Sequence, residues 1–267
     1  MGQTIQEALR IHETSPGSYA ATITDDWWQG AGAYGGISAG LIVRAAQAFL
    51  GGESSRVPRA LHVLFTAPPA SGLISLKVNP IRQGARVSFL EVRVEQAEKA
   101  VAHGTVTLGK PRAGEASVRH EQMPKVPGVD KLAALPEVPQ TPRYFEHLDI
   151  RPCLGSPPLG QTANAMFGGW VKLDEGAPVD HAYIAAIMDV GPPSYFVTQS
   201  EFRRAASVTA SYHFLEARPE EHAESGDSLM LRIRSRVCNE GYSDEEQHLW
   251  SPSGRLLARA NQVIAIG

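Results

Sequence analysis

Cysteine is scarce in this chain: Cys153 and Cys238 are the only two among 267 residues. Two thiols cannot build a disulfide framework, and no Cys/His spacing resembles a zinc site. No apolar run approaches the length of a membrane span. Positive charge is not in excess either, since 25 Lys and Arg face 28 Asp and Glu for a net charge of −3. That balance offers no basic surface for nucleic acid and no polybasic membrane anchor. Met1 to Arg10 lack the basic-then-apolar order of a signal peptide. They begin Met-Gly, but Gln6 stands where a myristoylation signal wants Ser or Thr. The expectation is a reduced, cytoplasmic protein whose partner is a small molecule or another copy of itself.

What the chain does have is a core and a repeat. Its hydrophobic fraction of 43% and charged fraction of 20% are those of a soluble globular protein, and its length suits one large domain or two ordinary ones. Residues 61–108 open with Leu61-His62-Val63-Leu64-Phe65-Thr66-Ala67-Pro68 and continue as alternating strands. Residues 211–265 repeat that order, from Ser211-Tyr212-His213-Phe214-Leu215-Glu216 and Pro219 into three more strands. An Ala-rich helical segment precedes each block, at 36–50 and at 180–190. A helix followed by an antiparallel meander, present twice, indicates two fused units, and sites in such pairs lie commonly between the halves.

Tyr19 to Thr24 reads as a strand, followed by Asp25-Asp26-Trp27-Trp28 and a glycine-rich turn from Gly30 to Gly36. The helix from Ile37 to Leu50 carries only Ser38, Arg44 and Gln47 as polar residues, and Gly51-Gly52 stop it. A helix apolar nearly all round is buried, so something must wrap it. The strands do: in 88–96, Leu90, Val92 and Val94 share one face and Glu91, Arg93 and Glu95 the other. In 229–237, Leu229, Leu231, Ile233 and Val237 alternate with Met230, Arg232, Arg234 and Arg236, which predicts a solvent face for the latter set. Pro111, Pro124, Pro127, Pro136, Pro139 and Pro142 exclude a central strand or long helix between the blocks. The expected division is therefore a unit at 1–110, a linker at 111–143 and a second unit at 144–267.

Two short motifs invite other readings. Gly30-Ala31-Gly32-Ala33-Tyr34-Gly35 matches the dinucleotide pattern G-x-G-x-x-G. The preceding strand ends in Asp25-Asp26, the acid Glu53 lies in a turn before the next strand, and strands do not alternate with helices downstream. Gly36-Ile37-Ser38-Ala39-Gly40 matches the nucleophile elbow G-x-S-x-G. An elbow needs a buried strand just before it, and glycine and alanine stand there instead. Ser38 remains the mechanistic rival as a serine nucleophile.

A buried helix wrapped by an antiparallel sheet, twice in one chain, resembles the double hotdog fold. The details are similar to the acyl-CoA thioesterase II-like family. In the first half these are Tyr34-Gly35-Gly36 opening the helix with Arg44-Ala45-Ala46, then His62 before Phe65, Arg82-Gln83-Gly84 and Gln96. In the second they are Gly168-Gly169-Trp170, Asp189 before Pro192-Pro193, Trp250, Gly254-Arg255-Leu256-Leu257-Ala258 and Gln262. The resemblance implies an α+β chain in which two antiparallel sheets each wrap a central helix. It further implies hydrolysis of an acyl-CoA thioester by a positioned water, with no metal or redox cofactor, and pairing of the halves, and of copies, through the hotdog sheets.

Thioester hydrolysis needs an aimed water and donors for the developing oxyanion. The helix start at Gly35-Gly36 presents free backbone N–H groups at the positive end of its dipole, which makes the Gly36 N–H a candidate oxyanion donor. Gln262 shares a strand face with Leu256, Ala258, Ala260, Ile264 and Ile266, so a carboxamide is placed among apolar side chains, and it matches the family's water-orienting glutamine. The family's aspartate lies five residues before the strand phenylalanine, where this chain has Thr209. A threonine can position water but cannot act as a carboxylate base at neutral pH. The family's threonine maps onto the Arg236 to Asn239 region, where Asn239 is the nearest polar substitute. Tyr34, Gly35, His62 and Asp189 complete the expected substrate contacts. Because the aspartate is replaced, a non-hydrolytic acyl-CoA-binding protein on the same fold is the second reading.

Overall fold

The computed structural model describes residues 2–51, 55–112, 114, 118–173 and 176–267. Gly52 of the expected helix stop and Glu53 of the dinucleotide pattern lie outside the described residues. The first half holds α1 (Ile5–Ala8), β1 (His12–Ser15), β2 (Ser18–Ile23), β3 (Trp28–Gln29), β4 (Gly32–Ala33) and α2 (Gly35–Leu50), then β5 (Val57–Phe65), β6 (Gly72–Gln83), β7 (Val87–Gln96) and β8 (Lys99–Gly109). After the proline-rich stretch come β9 (Leu148–Gly155), β10 (Met166–Leu173) and α3 (His181–Ile187). The chain closes with β11 (Ala205–Phe214), β12 (Leu229–Arg234), β13 (Cys238–Asn239), β14 (Tyr242–Trp250) and β15 (Leu256–Ile266).

The apolar composition of α2 is explained by its surroundings. Every residue from Gly36 to Val43 is buried, as are Ala45 and Ala46, because β5 to β8 cover one side and α3 the other. Gly51, at φ 80°, then turns the chain out of the helix. The strands run in the order β1-β2-β6-β7-β8-β5-β11-β15-β14-β12-β10-β9, with β13 beside β14, forming one sheet of 13 strands. This is the double hotdog, with its two halves paired through their sheet edges as expected. The β5–β11 ladder, from Leu64 opposite Thr209 to Ala60 opposite His213, makes the join.

The two helices run antiparallel and touch backbone to backbone. A Cβ on Gly36 would lie 2.5 Å from the Ala186 carbonyl oxygen, and one on Gly40 2.9 Å from that of Ala182. Arg44, the polar exception on α2, reaches Asp180 at the start of α3 at 2.8 Å.

The outer face of β12 differs from the expectation. Met230 is fully buried rather than exposed, because Met123, Val126, Val129 and Leu132 of the proline-rich stretch pack over Trp170, Met230 and Trp250. The Trp170 indole N–H donates to the Pro127 carbonyl at 2.9 Å. β12 ends at Arg234, three residues before the expected end at Val237, which is exposed. Further along, Arg143 pairs with Asp25 at 2.6 Å and Asp26 at 3.0 Å, and Tyr144 stacks on Tyr34 with ring centres 4.7 Å apart. The beginning of the second half thus clamps the entrance of α2.

Neither short motif builds its namesake. Gly30, at φ 64°, lies in the turn of the β3–β4 ribbon, Gly32 and Ala33 form β4, and Gly35 begins α2. Ser38 is buried inside α2 rather than raised on an elbow. Among the described residues, no helix is long and apolar enough to cross a membrane.

Candidate active site

Antiparallel helices bring the end of one to the beginning of the other. Asp189 follows the last turn of α3, where the helix dipole disfavours an acid. The start of α2 compensates: the Gly36 backbone N–H and the Gln262 amide lie near the Asp189 carboxyl and favour its charged form. Gly35 allows that approach, since a Cβ there would come within 2.8 Å of Asp189 Oδ2. Burial is the larger influence and pushes the carboxyl up to about 7, against the lowering effect of those two groups. Such a group is divided between acid and base forms near neutrality.

A second carboxyl lies close by. Glu245 on β14 stands directly across the ladder from Gln262 on β15. It accepts from the Ser194 backbone N–H at 2.5 Å and from the Ser194 hydroxyl at 3.1 Å. Burial raises it too to about 7, the Ser194 bonds oppose this, and the charge on Asp189 adds to the rise. Sequence reasoning passed over Glu245. The signal was Ser243, Glu245 and Gln247 alternating into Leu249, a polar run on the inward face of its strand.

Phenols surround the carboxylates. Tyr34 caps the front of α2, and its ring lies so close over Gly36 that a Cβ there would overlap it. Burial first and Asp189 second push Tyr34 and Tyr212 well above the ordinary phenol value, and Tyr144 is raised for the same reasons. Asp189 and Gln262 keep 8% and 9% of their surface exposed, whereas Tyr34 keeps 1%. All three residues are therefore buried by the fold.

Five of the expected site residues, Tyr34, Gly35, Gly36, Asp189 and Gln262, thus come together, and three do not. Thr209 follows a bulge in β11 and pairs with Leu64 and Val263, which are 50% and 37% exposed on the outer face. Its neighbour Ala210, not Thr209, shares the inner face with Gln262. His62 is also on the outer face, with Nδ1 2.9 Å from the Ser211 hydroxyl. Asn239 is exposed beside the Glu240-Gly241 turn, where φ is 51° and 78°. Strand alternation turns the first two away and the hairpin carries off the third.

An open cleft of about 740 Å³ adjoins this region. Its lining includes Asn164, Tyr195, Thr198, Arg234, Arg236 and Cys238. The helical turn Ser194–Thr198 connects the two places, with Ser194 on Glu245 and Tyr195 and Thr198 on the cleft wall. Among the described residues, no group of three or more His, Cys, Asp or Glu is arranged to hold a metal ion.

Comparison with known proteins decides the family. A model of the acyl-CoA thioesterase N-terminal domain matches residues 24–109, and one of the acyl-CoA thioesterase C-terminal domain matches residues 120–266. The chain belongs to the acyl-CoA thioesterase family. It is 24% identical to an uncharacterized protein of Mycobacterium tuberculosis strain H37Rv, with 98% of this chain and 97% of that protein covered. Among solved structures it is similar to a hot dog protein of unknown function from Alicyclobacillus acidocaldarius. The TM-score is 0.88 at 22% identity, covering 98% of this chain and 97% of that one. It is also similar to an acyl-CoA thioesterase II from Mycobacterium marinum, at TM-score 0.79 and 18% identity over 99% and 98% of the two chains. Identities this low compare folds, and residue roles in this thioesterase rest on its own geometry.

Proposed function

We propose that this protein hydrolyses an acyl-CoA thioester to the free acid and CoA, with Asp189 as general base and Gln262 orienting the water. The observation that carries this reading is the buried Asp189 carboxyl, set against the start of α2 beside Gly35, Gly36 and Gln262 and raised to about 7. A water beside Asp189 gives it a proton as its oxygen attacks the thioester carbon. When the tetrahedral intermediate collapses, the C–S bond breaks and the departing CoA sulfur takes that proton. Asp189 replaces the water-positioning role expected of Thr209, whose strand face points away. The Gly36 N–H, expected to hold the oxyanion, lies beside this base and favours its charged form. The apolar faces of α2 and its sheet would receive the acyl group, and the arginine-bearing cleft would receive the phosphates of CoA. A serine mechanism fits less well, because Ser38 is packed within α2.

Free-thiol release from short, medium, long and aromatic acyl-CoAs tests the reading, with acyl-pantetheine thioesters alongside. Wild type should turn over at least one class. Asp189→Asn should lose about a hundredfold or more in kcat, the usual scale for a general base. Gln262→Ala should lose about tenfold, roughly 1.4 kcal/mol of barrier. A lower KM for CoA esters than for pantetheine esters is expected if the cleft takes the nucleotide end. Tight acyl-CoA binding without any turnover would select the binding-protein reading instead.

A further inference from the structure

The Gly36 N–H lies beside the Asp189 carboxyl and favours its charge, so a second donor in this cluster would serve an oxyanion better. Tyr34 carries one. Its side chain is almost fully buried, and among the described residues its hydroxyl has no hydrogen-bond partner. The phenol stacked on it behaves differently: the Tyr144 hydroxyl donates to the Val190 carbonyl at 2.9 Å. An unpartnered buried hydroxyl costs about 1–3 kcal/mol, and phenylalanine would fill the same space without that cost.

The place of the Tyr34 phenol matters as much as its lack of a partner. Its ring folds back over Gly36 at the positive end of α2, beside the carboxylate that would activate water. Burial holds the phenol protonated at neutral pH, so it can donate a hydrogen bond but cannot compete with Asp189 as a base. Seated beside the Asp189–Gln262 pair, it would flank a thioester attacked by a water that Asp189 activates.

We propose that the Tyr34 hydroxyl is a catalytic donor to the thioester carbonyl oxygen and stabilises the oxyanion formed when water attacks. The proposal rests on the thioesterase reading above. No proton is transferred from Tyr34: the hydrogen bond shortens as charge develops and relaxes when the carbonyl re-forms and the C–S bond breaks. The hydroxyl is thus partnered in the transition state and unpartnered in the free protein, an arrangement that favours the transition state over the ground state.

The test is Tyr34→Phe, assayed with whichever acyl thioester wild type turns over. Loss of an oxyanion donor lowers kcat by about a hundredfold or more, with KM changed by less than about threefold on the same scale. Because the free protein loses no hydrogen bond, its melting temperature should be equal to or above that of wild type. Tyr144→Phe, which does lose a bond, serves as the stability reference and should melt lower. The midpoint of the pH–rate profile should stay where the Asp189–Glu245 pair sets it. Unchanged kcat in Tyr34→Phe overturns the proposal, and so does a loss of activity accompanied by a lower melting temperature, the mark of a structural tyrosine. Failure of wild type on every thioester instead overturns the underlying reading, so the two failures are distinct.

Discussion

Asp189 and Glu245 illustrate what burial does to a single residue. Asp189 is raised from 3.8, and Glu245 from 4.5, each to about 7. The folded protein therefore keeps these protons over a pH range in which the unfolded chain has released them. Stability from these groups is fully present below about pH 4 and is lost as pH rises towards about 7. Asp189→Asn removes one of the two titrations. Denaturant melts across that window should show a shallower fall in stability for the variant, and greater stability than wild type above it. An unchanged slope would mean that Asp189 is ionised throughout. Catalysis has the opposite sign, since water activation needs the carboxylate. kcat/KM should rise with pH through an apparent midpoint near 7 that belongs to the coupled pair rather than to one residue.

At the scale of elements, the contact between α2 and α3 decides whether a site exists. Asp189 meets Gly36 only because the helices approach closely, and small residues permit that approach. Gly40 tests this without touching the cluster. Alanine there favours the helix by about 1 kcal/mol on intrinsic propensity. Its Cβ, however, would lie 2.9 Å from the Ala182 carbonyl oxygen and 2.7 Å from Leu9 Cδ2. The leucine can rotate, but a helix carbonyl cannot move alone, and overpacking of this kind costs about 1–3 kcal/mol. Gly40→Ala should therefore destabilise by about 1 kcal/mol net, read as a lower denaturant midpoint. Stabilisation would show that the helices slide apart freely. Both Ala-rich helices were legible from composition; their antiparallel contact was not, because local periodicity carries no information about what lies on the far side of a helix.

Across the whole molecule, the proline-rich stretch acts as a strap. It has no strand or α-helix of its own among the described residues, yet it buries Trp170, Met230 and Trp250, and its Arg119 reaches the buried Glu216 at 2.9 Å. A charge on its inner side should loosen it. Val129→Asp is expected to cost about 2 kcal/mol and to shift tryptophan emission to longer wavelength as the indoles meet water. Emission and stability like those of wild type would mean that the strap is a passenger. The solvent face assigned to Met230 failed for this reason. Alternation along β12 says which residues share a face, but a distant segment decides whether that face stays wet.

Read alone, the sequence determined the duplicated helix-and-meander order, the burial of α2 and the placement of Gln262 among apolar neighbours. Each of these follows from periodicity within one element, a local property. The tertiary structure decided that Asp189 sits beside Gly36, that Glu245 is buried opposite Gln262 and that Thr209 and His62 face outward. These depend on register, on a single bulge and on contacts between residues more than a hundred positions apart. Desolvation also raises a carboxyl's pKa only once the fold has closed around it, so neither acid could announce itself in the linear chain.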